Sequence, residues 1–160
     1  MHLPTQLATH LRHVYFGGNW TGVNWQDALE GVTYVEASTR IGDLNTILVL
    51  VTHVGYYTRE TLPVYEGSPL SCKDDLSFTP PDIQTEKEWS TFVKTFFADA
   101  ERLIAKIEQV AAETIWQPFS DEKYGTYYRN IQGLIEHAHY HLGQVVVLRR
   151  LLRNGLATSS

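Results

Sequence analysis

The 160-residue chain has a single cysteine, Cys72, which excludes an internal disulfide and agrees with a reducing, cytoplasmic setting. No basic and apolar leader with a cleavage site is expected. Its longest apolar runs, such as Ile47 to Val51, are far too short to span a bilayer, so no membrane partner is expected. Basic residues are scarce too: 13 Lys and Arg stand against 18 Asp and Glu, a formal net charge of -5. Nucleic acid, whose phosphates need a concentrated basic surface, is not an expected partner. The one basic cluster, Arg149, Arg150 and Arg153, falls in the last turns of the final helical segment, where cations offset the helix dipole and Gly155 supplies a cap. Period-two alternation is almost absent, which argues against strands. Cys72 sits in the loop-like EGSPLSCKDDLSFTPPD beside Lys73, and with no flanking histidine to activate it the thiol reads as structural.

What is present is helical periodicity. With 43% hydrophobic and 12% aromatic residues, the chain can build one core, and residues 1–160 read as one domain. PTQLATHLRHVYF, Pro4 to Phe16, carries Leu7, Leu11 and Val14 at helical spacing and stops at Gly17-Gly18. NWTGVNWQDALEGVT reads as a structured loop with a short helix after the N-cap Asn24, its tryptophans Trp20 and Trp25 sealing one end of the core. A second long helix is predicted from Asp43 or Asn45 to about Tyr65. Residues 67–82 turn to Ser, Pro, Asp and Gly without periodicity and read as a loop. The capping box Thr85 to Glu88 opens a third long helix with Trp89, Phe92, Phe96, Leu103, Ile107 and Val110 on its apolar face. The last begins near Thr126, with Ile131, Leu134, Ala138, His141, Val145 and Leu148 in one seam. Four long amphipathic segments joined by loops predict an all-α, four-helix bundle.

The chemistry is concentrated in NIQGLIEHAHYHLGQ, Asn130 to Gln144. Asn130, Gly133, His137, His141 and Gln144 form a polar stripe in steps of three and four, where a core stripe should be apolar. His137 and His141 share one helical face, close enough to hold one divalent cation, and His53 in the second long helix supplies a third imidazole. Three protein ligands with an open position match a catalytic metal site better than a closed structural one. His139 is turned about 200° from both ligands and is excluded, reading as a surface or interface residue. His10 and His13 lie in a less apolar segment and are not assigned. Ala138 stands where a His-Glu-x-x-His metalloprotease places its glutamate, so proteolysis is disfavoured. Glu60, two turns after His53, is the acid-base candidate, and Asn130 and Gln144 are candidates for holding a cosubstrate. Tyr56, Tyr57 and Tyr140 read as packing residues with polar tips.

His53 in its helix, NWTGVNWQDALEGVTYVEAS (Asn19 to Ser38) and HAHYHLGQVVVLRRLL (His137 to Leu152) together resemble the DinB/YfiT-like superfamily of metal-dependent enzymes, YHLGQ being the most specific part. The resemblance implies an up-down-down-up bundle, commonly a homodimer, with zinc or nickel held by three histidines, which by motif position are His53, His137 and His141. It also implies a low-molecular-weight thiol as cosubstrate, since relatives include bacillithiol transferases and mycothiol-dependent maleylpyruvate isomerases. The isomerases use a glutamate among their ligands, whereas all three here are histidine. The function expected is activation of a small thiol, or of water, for attack on a small-molecule electrophile. The alternative is a non-catalytic module that binds metal or a small ligand as a dimer.

Overall fold

The computed structural model describes residues 2–155, and these are all-helical, with no β-strand among them. Six α-helices follow in order: α1 (Leu3–Phe16), α2 (Trp25–Leu29), α3 (Tyr34–Ser38), α4 (Ile47–Thr61), α5 (Glu86–Glu108) and α6 (Tyr127–Arg153). The polar side chains ahead of the apolar runs set most of the starts. Asn24, Thr33, Thr46, Thr85 and Thr126 each accept a hydrogen bond from a backbone N–H of the first turn they precede. At Thr33 and Thr85 the third helical residue, Glu36 or Glu88, returns the bond as a capping box.

The four long helices pack so that α1 and α4 each contact both α5 and α6. Their shared interior holds Leu11, Val14, Val51, Ile104, Ile131, Leu142 and Val145, all essentially sealed from solvent. Each such side chain contributes about 1.5–3 kcal/mol by leaving water. Gly55 lets α4 approach α5 closely, since a Cβ there would come within 3.2 Å of the Phe96 ring. The two short helices fasten the ends. Trp25, fully buried, donates its indole N–H to the Ala138 carbonyl of α6, and Trp89 of α5 donates to the Val32 carbonyl.

Several expectations need correction. The second long helix is α-helical only to Thr61 and continues as a 3-10 segment, Leu62–Glu66. Pro63 there lacks an N–H and its ring crowds the preceding turn. α5 ends at Glu108, leaving Val110 beyond it. Of the two tryptophans expected to seal the core, only Trp25 does so, because Trp20 is fully exposed. The helix α3 was not foreseen, its five residues being too short to show a period. The arginines near the end of α6 do more than offset a dipole. Arg149 donates to the Asp27 and Glu30 carbonyls, and Arg153 to the Gly31 carbonyl and the Glu36 carboxylate, tying α6 to the α2–α3 region.

Candidate metal centre

His137 and His141 sit one turn apart on α6, and His53 lies opposite them on α4, where the two helices pack together. The three rings form a nearly equilateral triangle, with centroids 4.7 Å apart for His53–His137, 4.7 Å for His53–His141 and 4.6 Å for His137–His141. Each offers one ring nitrogen, and these nitrogens all lie within 4.8 Å of one another. His53 and His141 are buried and His137 is half-buried.

Hydrogen bonds behind the rings decide which nitrogens are bare. Ser77, fully buried, donates its hydroxyl proton to the Asp74 carbonyl at 2.6 Å. Its oxygen is left to accept, so at 2.9 Å from His53 it takes the Nδ1 proton, and the lone pair of that ring is on Nε2. Gln144 does the same for His141: its Oε1 accepts from Nδ1 at 2.7 Å, leaving Nε2 bare. His137 places its Nε2 2.9 Å from Nε2 of His53. Without a cation, the His137 ring must supply the proton between those two nitrogens.

Burial keeps the cluster uncharged. It pushes the His137 pKa down to about 3, helped by His141 and His53, and the His53 pKa down to about 4, helped by His141 and opposed by the Asp74 carboxylate. His141 is lowered by the same desolvation, with its Gln144 bond acting the other way. Neutral imidazole is the form that ligates a metal. Neutral, converging nitrogens, two of them bare and held from behind by polar groups, therefore fit a divalent cation with affinity for imidazole.

The loop 67–82 closes one side of this group. Phe78 stacks on the His53 ring, centroids 3.8 Å apart and planes 16° apart. Tyr57 stands edge-on to both His53 and His137 and donates its hydroxyl to Asp74 at 2.7 Å. Burial and the Asp74 bond push the Tyr57 pKa up to about 12, so it remains a phenol. Beside His137 opens a cleft of about 580 Å³, lined also by Tyr57, Cys72, Asp74, Asn130 and Gly133. No protein atom lies within 4 Å of where a Cβ on Gly133 would be, so that glycine faces open space.

The residues singled out in the sequence are distributed as follows. His53, His137 and His141 come together. Gln144 touches the cluster through His141. Asn130 lines the cleft, but its amide nitrogen is committed to the Tyr124 and Thr126 carbonyls. Glu60 pairs with Arg59 at 3.5 Å and does not line the cleft, where the carboxylates are Asp74 and Glu136. Tyr140 is largely exposed, and the Tyr56 hydroxyl accepts from the Lys73 N–H. His139 is turned from the cluster as expected, yet it is half-buried against His10 rather than a surface residue. Cys72, without a histidine beside it in sequence, shares the cleft with His137. Burial first, then the Glu60 and Asp74 carboxylates, pushes its pKa up to about 11, so it stays a thiol. Sequence reasoning missed Ser77, Phe78 and Asp74. Their segment has no period, and nothing in a Ser-Phe pair signals a contact with a residue 24 positions away.

No protein-family model matches the chain, and no curated protein or solved structure matches it.

Proposed function

We propose that His53, His137 and His141 hold one divalent transition-metal ion and that the protein is a metal-dependent enzyme. In this reading it activates a low-molecular-weight thiol, or water, for attack on a small electrophile. The observation that carries the proposal is the triangle of neutral imidazoles, two of them with Nδ1 tied to Ser77 and Gln144, at the edge of a cleft sized for a small molecule. Zinc or nickel fits the donor set, since imidazole nitrogens suit both. When bound, the ion acts as a Lewis acid that lowers the pKa of a thiol or water at its open position.

The chain's own residues supply the rest. Ser77 and Gln144 orient two of the rings, and Phe78 shields one face of His53 from water. Gly133 leaves open space one turn before His137 on α6, and Tyr57 and Asp74 present a paired hydroxyl and carboxylate at the cleft wall. The nucleophile would be the thiolate: the thiol gives its proton to buffer, and the new bond to sulfur forms as a π bond or leaving-group bond of the electrophile breaks and takes the displaced electron pair. The proposal also takes the long helices, two of which each contact the other two, as an up-down-down-up, DinB/YfiT-like bundle acting as a homodimer in the cytoplasm.

The test is a calorimetric titration of metal-loaded protein with a small thiol in buffers of different ionisation enthalpy, repeated with cobalt substituted as a spectroscopic probe. Proton release and a change in the cobalt spectrum that are both lost in His53→Ala support the enzyme reading. Stoichiometric metal with neither response reduces the protein to a metal-binding module. Absence of stoichiometric metal overturns the site.

A further inference from the structure

His10 of α1 and His139 of α6 lie side by side on the flank of α6 turned away from the three-histidine cluster. Their ring centroids are 6.0 Å apart and their planes are inclined at 59°. The Nε2 of His139 has no hydrogen-bond partner and is sealed from solvent. A buried polar atom without a partner costs about 1–3 kcal/mol, and a native protein that keeps one has a reason in water, an ion or a function. The polar ring placed beside it, His10, is exposed and open to ions from solvent.

We propose that His10 and His139 form a second metal site, a two-imidazole clamp across α1 and α6 that takes a divalent transition cation. The geometry suits it: metal–nitrogen bonds of about 2.0–2.1 Å set the centroids of two rings on one ion roughly 5–6 Å apart. The frame is firm. α1 and α6 pack directly, with Leu7, Leu11, Ala138 and Leu142 buried along them. Imidazole pairs select zinc, nickel and copper(II) over calcium and magnesium, which prefer oxygen ligands. Two imidazoles with water in the remaining positions bind more weakly than three, so this site fills after the cluster. It shares no residue with the cluster and stands or falls independently of the function proposed above.

Zinc uptake by the chelator-stripped, untagged protein, followed by equilibrium dialysis and metal analysis, tests it. Wild type should take up two ions per chain in two phases. His10→Ala should lose the weaker phase and keep the tighter one, whereas His137→Ala should lose the tighter phase and keep the weaker. Because His10 is exposed, its variant folds even if His139→Ala does not. In imidazole nitrogen NMR spectra of wild type, the His10 and His139 signals should shift together during the weaker phase. Identical isotherms for wild type and His10→Ala overturn the site. A His10 shift with an unmoved His139 overturns it as well, showing adventitious surface binding.

Discussion

Ser77 reaches His53 across 24 residues of chain, its Oγ 2.9 Å from Nδ1, with its own proton already given to the Asp74 carbonyl. A side chain with no metal-binding capacity of its own thus sets which nitrogen of His53 is bare. Ser77→Ala removes the acceptor and leaves a buried N–H unpaired, at a cost of about 1–3 kcal/mol. Loss of such a supporting partner typically weakens metal affinity by about 10–100-fold. A competition titration with a chromophoric chelator should show that drop, with helicity by circular dichroism unchanged. Equal affinity in the variant would remove Ser77 from the site.

His137→Ala and His141→Ala should each abolish tight stoichiometric metal while the chain stays folded, since the apolar interior of the four long helices supplies the stability. Gln144→Leu should weaken the tight ion less than His141→Ala does, because it removes the support of the ring and not the ring. Metal analysis after gel filtration distinguishes the three, and full occupancy in both histidine variants would contradict the assignment.

The cluster makes the metal-free protein sensitive to acid. The folded-state pKa values of His53 and His137, about 4 and about 3, lie below the ordinary histidine value of about 6.5. Between those limits the unfolded chain binds protons that the folded chain refuses, so stability falls as pH drops from about 6.5 toward 4. Urea unfolding of metal-free wild type at pH 7 and pH 5 should show this loss, and His137→Ala should show less of it. For the same reason, metal affinity of the folded protein should change little between pH 7 and pH 5. A steep fall centred near pH 6.5 would mean the rings titrate as exposed histidines.

The two tryptophans of the first connection should behave oppositely. Trp25 is fully buried and bonded to the Ala138 carbonyl, so Trp25→Ala should cost about 3–5 kcal/mol in chemical denaturation. Trp20 is fully exposed, and Trp20→Ala should stay within about 0.5 kcal/mol of wild type. Acrylamide quenching should lose its most accessible component only in the Trp20 variant.

Cys72, held as a thiol with a pKa near 11, should alkylate slowly at pH 8 despite sharing the cleft with His137. Its rate should keep rising beyond pH 9, and Cys72→Ser should retain full metal content. A rate that plateaus near pH 7 would show that His137 or a bound cation activates it.

The sequence by itself determined the four long helices and the shared face of two histidines within one of them. Capping residues such as Thr85 and Thr126, and apolar positions three and four apart, are local signals that helical geometry converts directly into starts and faces. The shared face of His137 and His141 follows from the same arithmetic. Tertiary structure decided the rest. That His53 meets that pair depends on how α4 and α6 pack, which no local period encodes; the sequence could only propose it from the apolar character of its helix. That Ser77, Phe78 and Asp74 close the site depends on a loop whose position is set by what it touches. Glu60 shows the limit in the other direction: it lies on nearly the same stripe of α4 as His53, yet a residue two turns along sits about 10 Å down the helix axis. It ends beside Arg59, outside the cleft.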